Sequence, residues 1–232
     1  MSLAIDAHLC YVLHTRAYRE TSLLLDVFSS EHGRVALVAR GVKRGKTKLS
    51  ALLQPFIPLQ ISWIGTGDLV TLTTVEAHGI GHALQARKVI CGLYINELLI
   101  KLMHKWDPCD DLFNCYNQLL IELAADGAPE QIILRKFELQ LLRSLGYALQ
   151  LRHETSNGAA IQAEGYYVFD PVAGPKLVRA NYLGAVKGAS ILALAAEDLR
   201  DKAVWADVKR LMRLVLHHHL GNKQLKSREL LQ

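Results

Sequence analysis

The chain is poor in cysteine and in long apolar runs, and each shortage narrows what it can be. Its four cysteines, Cys10, Cys91, Cys109 and Cys115, form no C-x-x-C pair. Their scatter suits reduced, mostly buried thiols in a cytosolic protein. No run of about 18 apolar residues occurs, so a membrane-spanning helix is excluded. The opening segment MSLAIDAHLCYVLHTR has no basic lead before a sustained apolar stretch, and Asp6 interrupts it. It does not read as a signal peptide. There is no Walker A loop, no G-x-S-x-G elbow, no H-E-x-x-H and no G-x-G-x-x-G between strand and helix. These absences predict a binding protein rather than an enzyme, with no cofactor and no catalytic residue.

What is present divides the chain. Half of the 232 residues are apolar, enough for a sizeable core. Segments 8–15, 21–29, 33–40, 55–65 and 68–77 are short and rich in β-branched or aromatic residues, and glycines or prolines separate them. Five strands in so short a span, with no long helix between them, predict a small closed barrel of the OB-fold kind.

From about residue 82 the apolar period changes from two to 3.6. Residues 82–106 place Leu84, Ile90, Leu93, Leu98, Leu102 and Trp106 on one broad helix face, and Asp107-Pro108 ends it. Helices are also expected over 109–125 and from Pro129 to Gly146, and again over 190–201 and 203–221. Residues 148–187 lose the pattern and predict an irregular insert with one or two short strands. The fold class is therefore α+β: an N-terminal five-stranded OB-fold barrel over 1–80, then a helical domain over 81–232 interrupted by the insert.

The net charge of +5 points towards an anionic partner, and its distribution is sharper than its sum. Residues 33–50 hold Arg34, Arg40, Lys43, Arg44, Lys46 and Lys48 and no acid. A loop of this kind can track a phosphate backbone, each cation displacing counterions; the plainer alternative is a solvated loop that aids solubility. A second basic group comprises Lys209, Arg210, Arg213, Lys223, Lys226 and Arg228, with a solvated helix face as its alternative. Trp63 and Tyr18 fit packing roles better than base platforms. His217, His218 and His219 point about 100° apart on a helix and cannot converge on one metal. Cys10 lies mid-strand among apolar residues and reads as core. Two rival functions stand beside DNA binding: an OB-fold protein for structured RNA, and a hydrolase using the three histidines.

Five blocks carry a resemblance to a known family: 20–41, 53–72, 92–99, 134–147 and 220–230. In this order, over nearly the whole chain, they resemble the RecO family of bacterial DNA-repair proteins, closest to its proteobacterial members. The resemblance implies an OB-fold followed by a helical region. It implies binding of single- and double-stranded DNA, annealing of complementary strands, and cooperation with RecR in loading RecA onto DNA coated by single-strand-binding protein. Arg135, at the head of the L-R-[RK]-F-E-L block, matches a site for the carboxylate that ends that protein's acidic tail, with Lys136 steering the acids. A guanidinium suits this task because it grips a carboxylate bidentately. The alternative is that Arg135 pairs with Glu138 or Glu130 on its own helix. Some members carry a four-cysteine zinc site in the region of 148–187; this insert has no cysteine, so no zinc is expected.

Overall fold

The computed structural model describes residues 4–42, 48–125 and 127–230. They form two compact units, Met1–Ala128 with Leu225–Gln232 and Pro129–Gln224. No helix among the described residues is long and apolar enough to cross a membrane.

The first unit is built on a closed barrel of five strands: β1 (Ala4–Tyr18), β2 (Ser22–Ser29), β3 (Gly33–Ala39), β4 (Pro58–Ile64) and β5 (Val70–Ala77). Their order is β1-β2-β3-β5-β4, with β3 and β5 parallel and the other pairs antiparallel. A short helix, α1 (Lys48–Leu52), joins β3 to β4, and this is the OB-fold arrangement that the strand spacing predicts. Alternation fills the inside with Cys10, Val12, Leu25, Val27, Val35, Leu37, Leu59, Ile61 and Trp63, all inaccessible to solvent. Each such side chain removed from water contributes about 1.5–3 kcal/mol. Burial also pushes the Cys10 thiol up to about 12, which fits its expected core role.

Among the intervening, outward-facing residues of β1 and β2, Tyr11 and Phe28 are also buried. Tyr11 and Phe28 pack against Phe113 and Tyr116 of α3 (Asp110–Ala124), with Phe28 and Phe113 ring centres 5.2 Å apart. The Tyr11 hydroxyl donates to Asn117 at 2.6 Å and Tyr116 donates to Asn96 at 2.7 Å. The Asn96 amide in turn reaches the Leu13 carbonyl at 3.0 Å. Satisfied buried polar groups of this kind fix which helix face meets the barrel.

The helix α2 (Arg87–Leu102) is shorter at both ends than the apolar period suggests. At its start, residues 78–84 run along the barrel instead, the His78 and His82 amides donating to the Pro58 and Phe56 carbonyls at 2.8 and 2.9 Å. Leu84 precedes the helix, and Leu93, expected inward, is exposed. At its end, Trp106 leaves the helix with φ 59°. Its amide donates to the Arg34 carbonyl and its indole to that of Gly67, both at 3.0 Å. Tertiary hydrogen bonds override the helical period at both ends.

The second unit contains α4 (Glu130–Ser144), α5 (Gly188–Ala195) and α6 (Trp205–Leu220), with a 3-10 turn over Lys202–Val204. The expected insert is more ordered than an irregular segment. It carries an antiparallel sheet in the order β7-β6-β8, from β6 (Tyr166–Asp170), β7 (Gly174–Val178) and β8 (Val186–Lys187). The open edge of β7 is closed by a strap. The Thr155 amide donates to Pro175 at 2.9 Å, and the buried Glu154 carboxylate accepts the Leu177 amide at 3.2 Å.

Candidate nucleic-acid interface

The six cations expected from residues 33–50 meet different fates. Arg34 is turned into the protein: its guanidinium donates to the Ile100 carbonyl, and to that of Met103 at 3.1 Å. Its Nε lies 3.7 Å from the Asp26 carboxylate. It satisfies carbonyls that the end of α2 would otherwise leave open, and a cation there also suits the helix dipole. Arg40, just beyond the last residue of β3, is exposed. Lys43, Arg44 and Lys46 lie outside the described residues. Of Lys48 only the backbone is described, at the start of α1.

The second basic group divides between the units. Lys209, Arg210 and Arg213 stand on α6, with Lys223 beyond it, whereas Lys226 and Arg228 belong to the first unit. Arg210 is partly occupied, 2.9 Å from Asp207 and donating to the Ala185 carbonyl. Lys223 and Lys226 are exposed. The helix α7 (Lys226–Glu229) is anchored by Glu97 of α2, which accepts the Lys226 amide at 3.0 Å and the Ser227 amide and hydroxyl at 2.9 and 2.6 Å.

Arg135 stands on α4 beside Glu138, with 2.6 Å between Nη2 and Oε1. The ion pair along the same helix, weighed above as the alternative, is therefore present. Glu138 is fully buried, while the Arg135 side chain keeps 12% of its surface in solvent. The pair engages Nη2, and the other N–H groups of the guanidinium can still meet a second anion. Lys136 is exposed, and its charge is felt by Asp198.

The histidine run also separates. The His219 ring stacks on Tyr147 at 4.2 Å with 24° between planes, and His218 meets it edge-on. Burial, reinforced by His218, holds the His219 imidazole below its usual range. Among the described residues no group of three or more His, Cys, Asp or Glu side chains is placed to hold a metal. The insert does not fit zinc: it has no thiol, and the Glu154 carboxylate is committed to the strap.

Three residues that the charge pattern did not single out gather at the β1–β2 turn: Arg16, Arg19 and the half-buried Tyr18, with the Arg19 guanidinium carbon 5.3 Å from the Tyr18 ring centre. The signal in sequence was only R-A-Y-R, which carries no weight until the hairpin register is known.

Sequence comparison decides the family. Residues 7–80 match the model of the recombination protein O N-terminal region and residues 84–229 that of the recombination protein O C-terminal region. The chain belongs to the RecO family. The DNA repair protein RecO of Methylococcus capsulatus is 46% identical over 220 residues, covering 95% of this chain and 90% of the relative. That of Nitrosococcus oceani is 47% identical over 224 residues, covering 96% and 91%. That of an Azoarcus species is 39% identical over 233 residues, covering 98% and 96%. The RecO family segments and the compact units divide the chain differently. Helices α2 and α3 fall in the C-terminal family segment but fold with the barrel of the N-terminal one.

Proposed function

We propose that this protein is a recombination mediator in DNA repair, acting by binding and not by catalysis. The observation that carries the reading is the match to DNA repair proteins named RecO over 95–98% of the chain. In this reading it works in the cytoplasm on single- and double-stranded DNA. It anneals complementary strands and, with RecR, helps load RecA onto DNA coated by single-strand-binding protein.

The mechanism is electrostatic. Phosphates of two strands repel, and cations that neutralise both let complementary bases meet without ATP. Arg40 and the basic run Lys43, Arg44, Lys46 and Lys48 are the proposed contacts from the N-terminal half of the chain. Lys209, Arg213, Lys223 and Lys226 are proposed as further contacts. Arg34 is left out of the set because its guanidinium is spent on the end of α2. Arg210 and Arg228 rank lower, the first for its pairing with Asp207 and the second because its Nη2 is buried. With about four to six phosphates engaged, log affinity for single strands falls with log salt at a slope of roughly −3 to −4.

Docking on the acidic tail of single-strand-binding protein would raise the local concentration on coated DNA. Arg135 is the proposed carboxylate grip, sharing its guanidinium with Glu138, and Lys136 draws the preceding acids. Arg135→Ala is expected to abolish most tail-peptide affinity; an unchanged dissociation constant removes this site from the reading.

The deciding experiment is annealing of complementary oligonucleotides coated with the cognate single-strand-binding protein, intact or lacking its tail, without ATP. Fast annealing on the intact coat and slow annealing without the tail is the expected result. No annealing on either coat or on bare strands overturns the proposal, and preference for structured RNA over DNA of equal length would replace it.

A further inference from the structure

The outer faces of β2 and β3 are where an OB-fold most often lays a nucleic-acid strand, together with the β1–β2 and β4–β5 turns. Here one half of that face is taken. Near the β2–β3 turn, Phe28 is covered by Phe113 and Tyr116 of α3 and is inaccessible to solvent. At the opposite end Ser22, Leu24 and Val38 are also buried, so a strand following the outer surface can reach only the side chains that rim it.

The register shows what stands there. Arg16 lies opposite Leu24, and Leu24 opposite Val38; one rung further, Tyr18 lies opposite Ser22. None of Leu24, Val38 and Tyr18 belongs to the barrel core, so by alternation they share the outer face with Arg16. Leu23 pairs with Ala39, which puts Arg40 on the rung beyond, beside Ser22. Three strands thus bring Arg16, Tyr18 and Arg40 to one end of one face, and Arg19 lies over the Tyr18 ring from the turn. Arg16, Arg19 and Arg40 are all exposed. No acid of the described residues forms an ion pair with Arg16 or Arg40. One acid, Glu20, stands exposed at the tip.

We infer that Tyr18 is a stacking site for one unpaired base of a single strand, with Arg16, Arg19 and Arg40 holding the phosphates on either side. The inference rests on the DNA-binding reading above and adds the class of ligand this site prefers. Aromatic rings and guanidinium planes accept any base, because every base has a π-face. A duplex offers no such face, its bases being stacked on one another, so the site selects single strands. Arg19 holds the ring as a cation–π pair when DNA is absent and exchanges it for a phosphate when a base arrives.

The test uses the full chain and labelled oligothymidine, an abasic strand of the same length and a duplex, followed by fluorescence anisotropy over a range of salt. Tyr18→Ala should weaken oligothymidine binding about tenfold, the order found when an aromatic platform is removed. Tyr18→Phe, which keeps the ring, should restore it. Neither change should alter affinity for the abasic strand or the duplex, nor the salt slope, since stacking releases no counterions. Arg16→Ala and Arg40→Ala should each reduce the slope by about 0.7. Oligothymidine bound equally by Tyr18→Ala and the unaltered protein overturns the inference, as does an equal loss on the abasic strand. Failure of the unaltered protein to bind any of the three would instead bring down the DNA-binding reading itself.

Discussion

The two ends of strand β3, which is seven residues long, serve opposite purposes. At its start, Gly33 lies against the backbone of Asp107, five residues beyond α2, and the Arg34 guanidinium satisfies carbonyls at the end of that helix. Beyond its end, Arg40 stands in solvent with no acid of the described residues paired to it. Both arginines lie in the same acid-free run, and charge pattern alone gives them the same role. The difference teaches that a cation in a basic segment counts towards binding only after its own fold has declined to use it.

The comparison can be broken most severely at Gly33. A Cβ there would lie 2.0 Å from the Asp107 carbonyl oxygen, at a φ of 64° that side chains other than glycine rarely adopt. Gly33→Ala is expected to cost several kcal/mol, about the upper range for single substitutions, read as the midpoint of urea unfolding. Next comes Arg34→Met, which keeps the stem and deletes hydrogen bonds made by a charged group, at about 1.5–3 kcal/mol. If that variant unfolds like the unaltered protein, the start of β3 is no anchor.

A smaller effect belongs to Glu97. Burial raises its carboxyl, but the Ser227 hydroxyl, the Ser227 and Lys226 amides and the Lys101 charge together outweigh it and hold the group below its ordinary range. A depressed carboxyl contributes stability that is complete above its unfolded value and disappears as pH falls through the folded one. Unfolding midpoints should therefore drop as pH falls below about 4.3. Glu97→Gln should flatten that part of the profile and lower stability near neutrality by about 1 kcal/mol. The smallest effect on stability is Arg40→Ala, within about 0.5 kcal/mol. Any loss beyond that would make the two ends of β3 alike and end the contrast.

Much of the fold was legible in the sequence. Alternation and turn residues marked the five strands, and the 3.6 period marked α3, α4 and α6 closely, because these elements bury one regular face. What escaped was set by distant partners. The end of α2 depends on Arg34, some 66 positions away along the chain. The three-stranded sheet in the insert depends on a strap whose signal is one buried acid, Glu154. The candidate surface was half legible: charge pointed to Arg40, but Arg16 and Arg19 became visible only through the β1–β2 register. Arg135 illustrates the converse, since its pairing with Glu138 follows directly from helical spacing.

The return of residues 225–230 to Glu97 makes the first unit a host and Pro129–Gln224 its guest, inserted between two stretches of one body. A ribosome delivers the barrel before the guest, yet the piece that closes the host emerges after it. Trimming the chain after residue 224 would therefore leave the guest whole and the host unlatched, so the cost of the missing tail would appear in the barrel, which is made before the guest.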